Sequence, residues 1–139
     1  MTDIEIAIKQ LEGHSICLCK NGSFFTDDGK GISPMMRFIA EGIDLKGYCV
    51  ADQIVGKAAA ILFVKAGFSH VHGKVMSKNG ILFLNRHNIP YSYDTLTDKI
   101  VNRSNTGICP MEKTVYHTDD VEKGYKALVE KLVELSATS

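Results

Sequence analysis

The feature that most constrains this chain is the repeated change of hydrophobic period along it. Short apolar runs such as "GYCVAD" and "HVHGKVMS" have the length of strands, while "QIVGKAAAILFVKAG" and "KNGILFLNRHN" carry apolar residues at helical spacing. Strand and helix text in alternation is the pattern of parallel strands joined by crossover helices, so it predicts an α/β sheet. The start of the chain differs. "IEIAIKQLEG" reads as a helix that stops at Gly13, and "SICLCKNGSFFTDDG" as two strands joined by an Asn-Gly turn of the kind that closes tight hairpins. An antiparallel hairpin therefore opens the predicted sheet, which makes it mixed.

The remaining segments fill in this plan. "ISPMMRFIAEG" is a short helix with Pro34 near its start and Gly42 at its end, "IPYSYD" a short strand, and "PMEKTVYH" a short helix opened by Pro110. "DDVEKGYKALVEKLVELS" is amphipathic with an acidic first turn, and is expected to cover one side of the sheet. The apolar helix of "QIVGKAAAILFVKAG" is expected to lie at the centre, largely buried.

Composition narrows the function classes. A chain of 139 residues with 45% hydrophobic content suffices for one domain with a real core, residues 1–139, and is too short for two. Sixteen basic against sixteen acidic residues leave no broad basic field, so extended nucleic acid is not an expected partner. No apolar run reaches the roughly 18 residues of a membrane span, and "MTDIEIAIKQ" lacks the basic-then-apolar pattern of a signal peptide. A cytoplasmic protein is expected. Of the four cysteines, Cys17, Cys19 and Cys49 sit in apolar strand text and read as reduced core residues rather than a disulfide framework.

Two helix starts could carry chemistry, because helix N-termini after strands collect ligands in α/β folds. In "VADQIVGKAAA", Asp52 is placed to cap the helix and Lys57 to follow just over a turn later; a plain N-cap and a snorkelling lysine serve as the alternative. Gly56, inside that helix, costs about 1 kcal/mol relative to alanine, which a close backbone or ligand approach would explain. In "NRSNTGICPMEK", Pro110 at the first helical position puts Cys109 at the N-cap, where free N–H groups favour a thiolate. Glu112 could close a capping box on Cys109 or stand as a carboxylate in a site. Asn102, Arg103, Ser104, Asn105 and Thr106 supply donors in the preceding loop, the guanidinium of Arg103 being suited to phosphate or carboxylate. His70 and His72 alternate onto one face of a strand, with no partner that the sequence names.

These two helix starts resemble the plan of the cytidine-deaminase-like fold, whose zinc signature is H-x-E followed by P-C-x-x-C. In "ICPME", Cys109 matches the first cysteine, Glu112 stands where the second would be and Ile108 replaces the proline, while "GKAAA" occupies the region of H-x-E without histidine or glutamate. Over nearly the whole chain, "VADQIVGKAAA" with "NRSNTGICPMEK" closely resembles a small uncharacterised bacterial and archaeal family with this fold. The resemblance implies a three-layer α/β/α sandwich with a mixed sheet. It also implies kinship with non-deaminating members, the transformylase domain of purine biosynthesis and the sulfur-handling accessory protein of formate dehydrogenase. The resemblance also implies that a homo-oligomer is compatible with the fold, since such relatives often associate through their central helices.

Asp52, Cys109 and Glu112 would make a hard, poorly matched zinc trio without histidine, so no metal and no cofactor are expected, and a hydrolytic zinc deaminase with unusual ligands is the less favoured reading. The expected function is binding of a small anionic metabolite, a nucleotide or sugar phosphate, between the two helix starts. Lys57 and Arg103 would hold the anion, and Asp52 and Asn102 its polar groups, with Thr106 and Glu112 nearby. Cys109 would be a nucleophile, making group transfer through a covalent adduct the enzymatic version, or a redox-sensitive contact. The alternative is an interaction or regulatory subunit that kept the fold without chemistry, using the helix around "KAAAILF" or the sheet edge as its interface.

Overall fold

The computed structural model describes residues 1–102 and 104–137. Its elements follow in the order α1 (Asp3–Gln10), β1 (Ile16–Lys20), β2 (Ser23–Asp27), α2 (Ser33–Ala40), β3 (Cys49–Val55), α3 (Lys57–Ala66), β4 (His70–Ser77), α4 (Lys78–Arg86), β5 (Tyr91–Thr97), α5 (Pro110–Val115) and α6 (Val121–Ala137). Local chemistry explains several of these limits. Thr2 and Glu5 form a reciprocal capping box at the start of α1. Asn21 and Gly22 both take positive φ, at 53° and 81°, as a tight two-residue hairpin turn requires. The carboxylate of Asp3 accepts from both of these turn amides at 2.9 Å, which ties the hairpin to α1. Ser77 accepts from the Gly80 amide at 3.0 Å to cap α4.

The strands form one sheet in the order β2-β1-β3-β4-β5. β1 is antiparallel to both β2 and β3, whereas β3, β4 and β5 run parallel. Two crossovers, α3 and α4, join the parallel strands, as the alternation in the sequence requires. On one face α1 packs against the sheet through a small core of Ala7, Leu11, Cys17, Cys19 and Ala51. The main core lies on the other face, where Ile16, Leu18, Val50 and Val71 from the strands meet α2, α3, α4, α5 and α6. The result is a three-layer α/β/α sandwich with a mixed sheet.

The helix α3 is the centre of the second layer. Every residue from Lys57 to Phe63 is buried, and α2, α4, α5 and α6 all pack against it. Burying side chains such as Phe63, Ile61 and Leu62 contributes roughly 1.5–3 kcal/mol each. Two glycines permit the tight packing at its two sides: a methyl group on Gly124 of α6 would lie 2.9 Å from Ile61 Cδ1, and one on Gly80 of α4 would lie 3.1 Å from the Gly56 carbonyl carbon. The residues of "KAAAILF" are buried against the chain's own helices, as expected of a central helix, so the interface that the alternative reading placed there is left with the sheet edge. No described helix is long and apolar enough to cross a membrane.

The boundary between β3 and α3 departs from the sequence reading. Gln53, Ile54 and Val55 continue the strand, and the helix begins only after Gly56, which is its N-cap. Apolar residues at Ile54 and Val55 fit either period, and pairing with Val75 and Met76 of β4 decides for the strand. Asp52 is therefore not a helix cap. It lies within β3 as a buried residue beside Gly73 of β4.

Candidate functional site

The starts of α3, α4 and α5 converge at the C-terminal ends of the parallel strands, the place where open α/β sheets gather ligands. Glu112, in the first turn of α5, reaches across to α3. Its Oε1 accepts from the Lys57 amide at 2.9 Å and its Oε2 from the Ala58 amide at 2.7 Å. A carboxylate on two amides at a helix start is held by charge-assisted bonds and by the helix dipole. Glu112 thus caps α3 rather than closing a capping box on Cys109, and Cys109 makes no side-chain cap bond at its own helix start. Burial pushes the Glu112 carboxyl above its usual range, against the opposing pull of the Ala58 and Lys57 amides.

Gly56 owes its place to this contact. A Cβ there would stand 2.3 Å from Glu112 Oε1 and 2.8 Å from Ile100, so only glycine admits the carboxylate. Close approach is indeed its role, but it is a side chain of the same molecule that approaches, and the glycine is a cap and not a helix interior residue.

Two clefts flank this strut. The larger, about 740 Å³, has mostly apolar walls that include Ile54, Ala58, Ile100, Met111 and Leu132. Cys109, Asn102, Ser104, Lys30 and Glu112 bring polar groups to it. Ile54 is 52% exposed although it sits beside the core, because its side chain opens onto this space. Asn102 is fixed by its own loop, with its Oδ1 accepting from the Thr106 amide at 3.0 Å and its Nδ2 donating to Thr106 Oγ1 at 3.2 Å. Thr106 is exposed and supports Asn102 rather than lining the cleft. Arg103 falls outside the described residues.

The smaller cleft, about 290 Å³, is polar and includes Lys57, Asn79, Arg86, His117 and Asp119. The Lys57 ammonium points here, not into the apolar cleft. It donates to the Tyr116 carbonyl at 3.1 Å and to Asp119 Oδ1 at 3.3 Å, and Arg86 Nη1 donates to the same Oδ1 at 2.6 Å. Lys57 and Arg86 hold the Asp119 carboxyl below its usual range, with the Lys57 hydrogen bond leading. This differs from the sequence reading, in which Lys57 faces a ligand between the two helix starts, because a nearly buried ammonium takes the intramolecular carboxylate it needs. Nothing in the sequence links Lys57 to Asp119, which lies 62 residues away in the turn before α6.

Asp52 lines neither cleft. Desolvation raises its pKa to about 7, although the amides of Ile54 and Gln53 pull the other way. The structure therefore brings Asn102, Cys109 and Glu112 together around one cleft, and places Asp52 and Lys57 elsewhere. Lys30 and Ile54, which the sequence reading passed over, join the first group; both were hidden in segments that read as plain turn and helix.

The zinc signature of deaminase-like proteins finds no ligands here. Gly56, Lys57 and Ala58 occupy the place of the first motif, and Glu112 is committed to two amides. Among the described residues no three His, Cys, Asp or Glu side chains are grouped to hold a metal ion. These residues do not fit a zinc ion.

Fold and site together define an α/β/α sandwich domain with a mixed sheet and a largely apolar cleft at its strand ends. Residues 6–132 match the family described as TM1506, domain of unknown function DUF1893, and the chain belongs to that family. The crystal structure of a DUF1893 family protein, TM1506 from Thermotoga maritima, superimposes with a TM-score of 0.85 at 29% identity, covering 93% of this chain and 89% of that one. A diaminohydroxyphosphoribosylaminopyrimidine deaminase/5-amino-6-(5-phosphoribosylamino)uracil reductase from Thermotoga maritima aligns at 14% identity and a TM-score of 0.45, over 67% of this chain and 35% of its own. No curated protein matches.

Proposed function

We propose that the chain binds a small metabolite in the apolar cleft, with Cys109 on its wall and Asn102 and Lys30 at polar positions along it. The observation that carries this reading is the cleft itself: about 740 Å³ with apolar walls and a few convergent polar groups is the usual make-up of a small-molecule site. The anionic ligand expected from sequence needs a new seat. Glu112 already fills the α3 N-terminus, and Lys57 is paired with Asp119. An anionic group belongs beside Lys30, and Arg103, next to Asn102 in sequence, is a second cation. The apolar walls then receive a flat apolar body, which favours a nucleotide over a sugar phosphate.

Cys109 would be a contact in the binding-only version and a nucleophile in the enzymatic one. Thermal unfolding with nucleoside monophosphates and with sugar phosphates tests the reading. A ligand at a hundredfold excess over its Kd adds about 2.7 kcal/mol of stability. Nucleotides should raise the melting temperature by several degrees, and Ile54→Asp or Lys30→Ala should remove the effect. A protein that no nucleotide stabilises, and that native mass spectrometry finds without a bound small molecule, would refute it.

A further inference from the structure

The two histidines of β4 stand away from both clefts, and the fold gives them partners. In register, His70 is opposite Cys49 and His72 opposite Ala51, and Ala51 packs in the core beneath α1. Side chains level with one another on paired strands share a face, so the histidines lie on the α1 side of the sheet, opposite α3. His72 is also level with Ser92 on the edge strand β5. Its Nδ1 is 2.8 Å from Ser92 Oγ, while its Nε2 is 3.5 Å from Asp94 Oδ1. His70 Nε2 lies 3.3 Å from the same Ser92 oxygen.

The state of His72 Nε2 sets this cluster apart from ordinary buried polar packing. The residue is 5% exposed, and its Nε2 is fully buried with no hydrogen-bond partner, an uncommon and costly condition. For Ser92 to donate to Nδ1, the neutral ring must carry its proton on Nε2, which then faces the Asp94 carboxylate. That gap is about half an ångström beyond a good hydrogen bond, as base-to-orienter contacts often are without substrate. Asp94 is exposed and free to turn toward it.

We infer that Ser92 is the nucleophile of an acyl-transfer site, with His72 as its general base, Asp94 as the positioning residue for His72, and small carboxylic esters as the substrate class. Ser92 is half-buried and Asp94 exposed on the edge strand, with His72 buried beside them, so the site suits a short acyl group. Ser92 Oγ attacks the ester carbonyl carbon while its proton passes to His72 Nδ1, and the carbonyl electron pair moves onto oxygen. His70, in the tautomer with hydrogen on Nε2, is placed to donate to that oxyanion. Burial, with the charge of His72 as a smaller contribution, lowers the His70 pKa and keeps that ring neutral. Collapse breaks the ester C–O bond, and the alcohol leaves with the proton from His72 Nδ1. Water then attacks the acyl-Ser92 ester by the same route, releasing the carboxylic acid and restoring the serine hydroxyl. The sum is ester plus water giving acid plus alcohol, and it is independent of the cleft beside Cys109.

The test uses the full chain and diisopropyl fluorophosphate, followed by intact and peptide mass spectrometry. One adduct on Ser92 is expected, absent in Ser92→Ala, and formed at least about 100-fold more slowly in His72→Gln, the range a general base supplies. Asp94→Ala should slow labelling and Asp94→Glu should restore part of the rate, which loss of a merely structural contact would not do. Hydrolysis of 4-nitrophenyl acetate should follow the same order. No adduct on Ser92 in the wild-type protein, or equal labelling in folded His72→Gln, would overturn the assignment.

Discussion

Gly56 and Glu112 fit each other so closely that a methyl group on the glycine would stand 2.3 Å from Glu112 Oε1. The two form the joint between α3 and α5, and mutations at either should show it. Glu112→Ala removes two charge-assisted bonds to buried amides and should cost about 2–4 kcal/mol in urea unfolding. Gly56→Ala should also destabilise, and less so once Glu112 is alanine, when the Ile100 contact at 2.8 Å is what remains. A double-mutant cycle checks this, and strict additivity would show that the two residues act separately.

Asp52 ties stability to pH. Its pKa is 3.8 unfolded and about 7 in the fold, so its neutral form is the one the fold prefers. Stability from this residue is complete below about pH 4 and is lost as pH rises through about 7. Asp52→Asn keeps an acceptor for the Gln53 and Ile54 amides without that loss. The variant should match the wild type at acid pH and exceed it at pH 8, by an amount on the order of a few kcal/mol. Denaturant titrations at several pH values read the difference directly.

The cysteines should divide by accessibility. Cys17, Cys19 and Cys49 are buried, and burial pushes the Cys17 thiol up to about 11. Cys109 is partly exposed and lines the larger cleft. Brief iodoacetamide treatment of native protein should add one alkyl group, on Cys109, and four after denaturation. A ligand that fills the cleft should protect that one site.

Gly80 and Gly124 should not tolerate alanine equally. The new methyl on Gly124 meets the end of the Ile61 side chain, and the substitution recovers about 1 kcal/mol of helix propensity. At Gly80 it meets the backbone of Gly56 and Val55 at 3.1–3.2 Å, which has no rotamer to change. Gly80→Ala should cost about 1–3 kcal/mol and Gly124→Ala clearly less, as thermal or urea unfolding will show.

The parts of the site that were legible in sequence are those set by neighbours along the chain. Pro110 after Cys109 announced a helix start, and Asn-Gly at 21 and 22 a hairpin, because φ preference and missing donors act over a few residues. The pairs His70 with His72 and Ser92 with Asp94 also repeat at a spacing of two, which puts each pair on one face of its own strand but does not say that the two strands are neighbours. Lys57 offered no such sign, since its carboxylate is supplied by a turn near the other end of the chain.

By itself, then, the sequence determined the alternating strands and helices, the mixed sheet and the central buried helix, because periodicity and turn chemistry are local properties. Only the tertiary structure decided that Glu112 caps α3, that Lys57 faces Asp119, that Asp52 is buried in a strand, and that His72 meets Ser92 and Asp94. Each of these depends on which distant group is near enough to satisfy a buried charge or donor. That is a property of packing in three dimensions, which no spacing along the chain encodes.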